Sequence, residues 1–232
     1  MISIIIATFN AAKVLRIALD SVLMQTFQDW ECIIVDGMSK DDTLAIVEEY
    51  ERLDNRFWHI SEPDRGVFDA FNKGWKNAKG DWIYYLGSDD KVTKGGLETL
   101  IKYSKGYDIV IGNVYGAYSR GMKLCRSKGV KACHQGIIVK KAIMEELGGF
   151  DLSFSLLADF DLMYKLRYYK LINVDVPVAY FATGGISQSI SNQVGICKER
   201  IVILRKNNVK YPILKSLGVF VRKTIVLLFR TI

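Results

Sequence analysis

Tyr85-Leu86-Gly87-Ser88-Asp89-Asp90 ends the apolar run Trp82-Ile83-Tyr84-Tyr85-Leu86 in two adjacent carboxylates. A buried strand that stops this way puts its acids at the carboxyl edge of a sheet. Open α/β folds bind their ligands at that edge, and such oxygens suit hard divalent cations. Alone, the six residues also read as a solvated turn, because Ser and Asp are ordinary turn formers. The sequence on either side bears on the choice.

Toward the amino terminus the strand-then-polar pattern recurs. Ser3-Ile4-Ile5-Ile6-Ala7-Thr8 ends at Asn10, read as a cap, and Val14, Leu15, Ala18, Leu19, Val22 and Leu23 follow at helical spacing. Glu31-Cys32-Ile33-Ile34-Val35-Asp36 repeats the pattern, with Asp41 or Asp42 as cap and Leu44, Ile46, Val47 and Tyr50 on the next helix. A third short strand near Phe57-Trp58-His59-Ile60 leads through Glu62-Pro63-Asp64-Arg65-Gly66 to Val67, Phe71, Trp75 and Ala78. Four such units predict an α/β fold: a mixed, mostly parallel sheet with helices on both faces and right-handed crossovers. The strand-end loops then gather Thr8, Asn10, Asp36, Asp89 and Asp90 along one edge, as in a nucleotide crevice.

The second half is less regular. Tyr107-Asp108-Ile109-Val110-Ile111 reads as a strand, and residues Tyr115 to Arg126 as strand-like pieces. Gln135-Gly136-Ile137-Ile138-Val139 leads to a short helix stopped at Gly148-Gly149. Ala158 to Leu166 opens a helix with Asp159 and Asp161 in its first turn, where the dipole favours acids.

With 232 residues, half of them apolar, the chain can bury a core without staples. Cys32, Cys125, Cys133 and Cys197 show no zinc or disulfide spacing, which fits a reducing cytosol. Ile2 to Ala7 reads as a strand and not as a leader, so export is not expected. From Lys198 onward nine basic residues face Glu199 alone, which is +8, so the first 197 residues sum to −1. The charge divides the chain into a body, residues 1–190, and a basic helical tail, residues 191–232.

These motifs resemble family 2 glycosyltransferases of the GT-A fold, especially those building bacterial exopolysaccharide, capsule or O-antigen. The resemblance covers roughly residues 1 to 190. It is carried by Ser3 to Asn10, Ile34-Val35-Asp36-Gly37-Met38-Ser39-Lys40-Asp41-Asp42-Thr43, Glu62 to Gly74, Leu86-Gly87-Ser88-Asp89-Asp90, Gly148-Gly149-Phe150-Asp151 and Ala158-Asp159-Phe160-Asp161-Leu162. It implies an inverting transfer from a nucleotide-diphosphate sugar, UDP-linked by preference, to a hydroxyl of a lipid-linked or other glycan acceptor.

That reaction must hold the nucleotide, neutralise a leaving diphosphate and take a proton from the attacking hydroxyl. The resemblance gives Asp36 to the base, with Thr8 and Asn10 beside it; the alternative for Asp36 is a helix cap. Asp90 is the implied ligand of Mg²⁺ or Mn²⁺, with Asp89 on the ribose or in the metal shell. Asp159 is the implied general base, although Ala158 stands where many members have Glu, and Asp161 is the fallback. Helix geometry turns positions i and i+2 apart, so only one of these two can face the crevice. His134 and Gln135 fall on the acceptor or diphosphate side or are structural. Arg65 reaches phosphate or base or is solvated. Asn72 braces a loop or is exposed.

In the tail, Leu214, Leu217, Val221, Ile225 and Leu228 fall on one helical arc, with Lys215, Arg222, Lys223 and Arg230 roughly opposite. The segment is too short and too charged to span a bilayer and reads as an interfacial helix on an anionic membrane, or as one that docks on the body or a partner. The expected location is cytoplasmic, peripheral on the inner face of the cytoplasmic membrane. No oligomeric state follows. Nucleic acid is not expected as a partner, because the charge is confined to the tail. A non-catalytic nucleotide-sugar binder or scaffold of a polysaccharide assembly complex is the rival reading, prompted by Ala158.

Overall fold

A computed structural model of the chain describes residues 1–118, 121–127, 129, 133–182 and 189–228. The first half is built as four strands with three helices between them: β1 (Ile2–Thr8), α1 (Leu15–Leu23), β2 (Trp30–Asp36), α2 (Thr43–Leu53), β3 (Phe57–Ser61), α3 (Val67–Asn77) and β4 (Trp82–Gly87). These strands pair in parallel in the order β3-β2-β1-β4. The register sets Thr8 beside Asp36 and Ala7 beside Gly87, so the three loops leave the sheet together.

The remaining elements are β5 (Lys91–Val92), α4 (Gly96–Lys102), β6 (Ile109–Tyr118), β7 (Gly121–Cys125), β8 (Ile137–Lys140), α5 (Lys141–Leu147), α6 (Ala158–Leu166), β9 (Leu171–Phe181), α7 (Gln193–Lys206) and α8 (Pro212–Leu228). β8 adds antiparallel to β4, β6 antiparallel to β8, β9 parallel to β6 and β5 antiparallel to β9, while β7 hairpins onto β6. The expected mixed, mostly parallel sheet thus has nine strands among the described residues.

Strand alternation sends Ile4, Ile6, Ile34, Tyr84 and Leu86 to the face covered by α1, α2 and α4. Ile5, Ile33, Val35, Ile83 and Tyr85 go to the face covered by α3, α5 and α6. Gly148 and Gly149, at φ 72° and 76°, stop α5 as expected.

One expectation changes, one pair of alternatives is resolved and one strand was not expected. Asn10, at φ 50°, does not cap α1; its side-chain oxygen accepts the Lys40 N–H at 2.8 Å, and the Ala11 and Ala12 N–H groups are taken by Thr43 and Asp41. Of the two cap candidates, Asp42 holds the N-cap position of α2 without a side-chain bond, and it is Asp41 whose side chain accepts the Thr43 N–H, at 3.1 Å. β9 carries no clear strand signal, because Pro177 interrupts it. The proline is accommodated where the β6–β9 register shifts around Asn113, the kind of irregularity where sheets tolerate proline.

The tail is partly joined to the body. Ile203 and Leu204 of α7 are buried, and Lys206 pairs with Asp151 at 2.9 Å. α8 packs against α7. Leu214, Leu217 and Val221 of the expected apolar arc remain exposed, while Ser216 faces inward. The side chains of Ile225 and Leu228, and Arg230 altogether, lie outside the described residues.

Candidate active site

The nucleotide side is built from the ends of β1, β2 and β3. Asp36 is fully buried, and one carboxylate oxygen accepts from the Thr8 hydroxyl at 3.3 Å and from the Ser39 hydroxyl. The other accepts the Ser39 N–H at 3.0 Å and the Ser61 hydroxyl at 2.9 Å. Asp36 therefore ties three loops together, and a base reaching it must replace one of these serines. Phe9, 64% exposed, was not singled out in the sequence, nor was Asp64. A Cβ on Gly37 would lie 2.5 Å from an Asp64 carboxylate oxygen and 3.4 Å from the Phe9 ring, so glycine is what lets these two groups close on the β2 loop. Arg65 is largely exposed and lies 3.6 Å from Asp69. Its neighbourhood matches the solvated alternative.

The second cluster surrounds Gly87. Asp90 is buried and accepts the Gln135 side-chain N–H at 2.7 Å and the Ala182 N–H at 2.8 Å. Burial raises its carboxyl above the ordinary range; the Ala182 N–H opposes the shift and the Asp89 charge adds to it. Asp89 is exposed. A Cβ on Gly87 would sit 2.5 Å from an Asp90 oxygen and 3.1 Å from an Asp89 oxygen, so both carboxylates converge on space that only glycine leaves free. Among the described residues no group of three or more His, Cys, Asp or Glu could hold a metal unaided. Two carboxylates at a glycine cradle still fit Mg²⁺ or Mn²⁺, since Mg²⁺ ordinarily takes one or two carboxylates and completes its shell with substrate phosphate and water.

The third cluster is the start of α6. His134 Nδ1 lies 3.5 Å from Asp159 Oδ2, and Asp159 is 35% exposed. Behind them a cavity of ≈ 20 Å³, lined by Tyr85, Phe150 and Leu162 among others, has room for about one water, so a sugar must lie on the open side. His134 and Gln135 are successive residues of one 3-10 turn, His134–Gly136. The first faces Asp159 and the second holds Asp90. One turn therefore joins two carboxylates 69 residues apart. Gln135 is fully engaged, for its side-chain oxygen also accepts the Cys133 thiol at 2.6 Å. Burial pushes that thiol up to about 12, which leaves it inert.

Asp161 faces away from the crevice, buried and 2.8 Å from Lys165. Asn72 is a buried brace: its side chain donates to the Phe150 carbonyl at 2.9 Å and accepts the Phe150 N–H at 2.9 Å, fixing the Gly-Gly-Phe-Asp turn before α6. Ala158 is fully buried in the core. A carboxylate is nevertheless present just before it, because Glu199 of α7 accepts the N–H groups of Ser155, Leu156 and Leu157 at 3.0, 3.0 and 2.9 Å. Glu199 gave no local signal, since its partners are backbone groups more than forty residues away.

The family model for glycosyl transferase family 2 matches residues 3–149, a stretch that ends before Asp159. A PGL/p-HBAD biosynthesis glycosyltransferase of Mycobacterium tuberculosis is 32% identical over 211 residues, which cover 82% of this chain and 80% of the relative. A GalNAc(5)-diNAcBac-PP-undecaprenol beta-1,3-glucosyltransferase of Campylobacter jejuni is 34% identical over 115 residues, 48% of this chain and 37% of the relative. The crystal structure of Staphylococcus aureus TarS in complex with UDP-GlcNAc shares the fold at a TM-score of 0.73, with 19% identity over 96% of this chain and 72% of that one. With the carboxylate clusters at the carboxyl edge of this sheet, the match over more than half of its length makes the chain a member of glycosyl transferase family 2.

Proposed function

We propose that this protein is an inverting, metal-dependent enzyme of bacterial surface-glycan synthesis that moves a sugar from a UDP-sugar to a hydroxyl of a lipid-linked glycan. The observation that carries the reading is the His134–Gln135 turn, which ties the buried Asp90 and the accessible Asp159 to one spot. A transferase needs its leaving-group site and its base close together, on opposite sides of one anomeric carbon.

In this reading the β1, β2 and β3 loops hold the nucleotide. Phe9 offers an exposed ring face, and Thr8, Asn10 and Asp36 shape the crevice. Asp89 and Asp90 hold Mg²⁺ or Mn²⁺, which when bound neutralises charge developing on the diphosphate. Asp159 takes the proton from the acceptor hydroxyl at Oδ2 as that oxygen attacks, with His134 fixing the carboxylate. One base and one displacement invert the anomeric centre. The UDP preference and the lipid-linked acceptor draw on the TarS complex and the Campylobacter relative. No helix among the described residues is long and apolar enough to cross a membrane. The exposed Leu214, Leu217 and Val221, flanked by Lys215 and Arg222, suit contact with an anionic inner-membrane surface.

The test is thermal shift with UDP, GDP and dTDP, each with and without Mn²⁺, on the wild type, Asp90→Ala and Asp159→Asn. One nucleotide should stabilise the wild type in a metal-dependent way, and Asp90→Ala should abolish that shift. Asp159→Asn should keep the shift and lose about 10²–10⁴-fold in transfer. Absence of any nucleotide effect would refute the donor site, and full transfer by Asp159→Asn would refute the base.

A further inference from the structure

Met38, in the loop that follows β2, holds φ 66°, a left-handed conformation that favours glycine. Glycine would adopt this turn without strain, and methionine brings no local hydrogen bond to offset the cost. Strain of this kind persists where the surrounding structure or the function makes use of it. The side chain is not spent on the core, because Met38 is 41% exposed. Its sulfur instead lies 3.8 Å from the hydroxyl oxygen of Ser61, the last residue of β3.

The Ser61 hydroxyl has one proton and two acceptors within reach, an Asp36 carboxylate oxygen at 2.9 Å and the Met38 sulfur. It donates to the carboxylate, because a thioether is the weaker acceptor. The other donors on Asp36 are less free to leave. The Ser39 hydroxyl is held from both sides, since it donates to Asp36 and accepts the Asn10 N–H at 2.8 Å. The Ser39 N–H, at 3.0 Å from Asp36, is fixed in the turn, and Thr8 is buried. Ser61 is therefore the donor that the ring N–H of an arriving base displaces. A seated base shuts water out of this edge, and a hydroxyl left there without an acceptor would cost affinity.

We propose that Met38 is a positioning residue for the donor nucleotide: as a base N–H takes the place of Ser61 on Asp36, the Ser61 hydroxyl turns to the Met38 sulfur. No donor is then left unmade, and the strained turn is what brings the sulfur within reach of Ser61. The exchange suits bases whose ring nitrogen carries a proton, such as uracil. With cytosine, whose ring nitrogen carries none, nothing would replace Ser61 on the carboxylate. The inference rests on the reading of the Asp36 crevice as the nucleotide site.

The test is calorimetric titration of the full chain with UDP plus Mn²⁺. It uses the wild type, Met38→Leu, Met38→Gln, Met38→Gly, Ser61→Ala and the Met38→Leu/Ser61→Ala double variant. Met38→Leu keeps the bulk and the strained backbone and removes only the acceptor, so UDP should bind about three- to tenfold more weakly. Met38→Gln restores an acceptor at similar length and should recover most of the loss. Ser61→Ala has no hydroxyl to rehouse and should bind UDP at least as tightly as the wild type, and adding Met38→Leu to it should change nothing. Met38→Gly should lose UDP affinity as Met38→Leu does while its Tm rises by about 2–4 °C, because the turn is then unstrained. Wild-type affinity in Met38→Leu, or an equal loss from Met38→Leu with and without the Ser61 hydroxyl, would overturn the exchange. So would a loss of about tenfold in Ser61→Ala, which would make Ser61 a direct contact of the nucleotide. Failure of the donor reading itself would look different, because UDP with Mn²⁺ would then bind none of the proteins, and the exchange would fall with it.

Discussion

Replacing Glu199 by Ala should loosen the start of α6, although Glu199 lies outside the region of family resemblance. Its carboxylate accepts the Ser155 N–H and hydroxyl at 3.0 and 3.1 Å, the Leu156 N–H at 3.0 Å and the Leu157 N–H at 2.9 Å. A hydrogen bond to a charged group contributes about 1.5–3 kcal/mol when both partners are sheltered. Ser155 is exposed, so water replaces its share, whereas Leu156 and Leu157 are half-buried. The net loss should be about 2–3 kcal/mol, which for a chain of this length lowers Tm by about 5–10 °C. Glu199→Gln keeps one acceptor oxygen and should lose about 1 kcal/mol. Urea and thermal unfolding measure the stability, and amide hydrogen exchange over residues 155–162 measures the local effect. A Tm within about 1 °C of wild type, with unchanged exchange at residues 155–157, would show that the contact does not hold the catalytic turn.

Gly149→Ala combines φ 76° with a Cβ 2.5 Å from Trp75 Nε1 and closer still to Asn72 Oδ1, so it should cost at least about 3 kcal/mol; wild-type urea midpoints would contradict this. Gly87→Ala has no positive φ to strain but pushes on both metal-side carboxylates. It should lose the Mn²⁺-dependent nucleotide shift while the unliganded Tm changes little, and an intact shift would argue against the cradle. The Ser153 hydroxyl and then Lys206 hold the Asp151 carboxyl down from 3.8 to about 2, so its stabilisation is present above pH 3.8 and is lost as pH falls through 2. Asp151→Asn should therefore be about 2 kcal/mol less stable at neutral pH, with the gap closing between pH 4 and 2; a gap independent of pH would refute the assignment.

Periodicity in the sequence was enough to determine the parallel half of the fold. Ile4, Ile6, Tyr84 and Leu86 alternate with Ile5, Ile83 and Tyr85, and a strand covered on both faces needs that apolar continuity. The acids that break these runs had to collect at the strand ends, so the crevice and its Asp36, Asp89 and Asp90 were legible from the chain alone. Tertiary structure decided which oxygens remain accessible. Asp36 and Asp90 carry equally acidic side chains in sequence, yet Ser39, Ser61, Gln135 and Ala182 occupy them, and Asp89 and Asp159 stay open. The Pro177 strand, the turn that joins Asp90 to Asp159, and the role of Glu199 depend on partners far along the chain. Such partners leave no periodic trace, because burial, register and hydrogen-bond saturation are set by how the elements pack and not by any residue's neighbours in sequence.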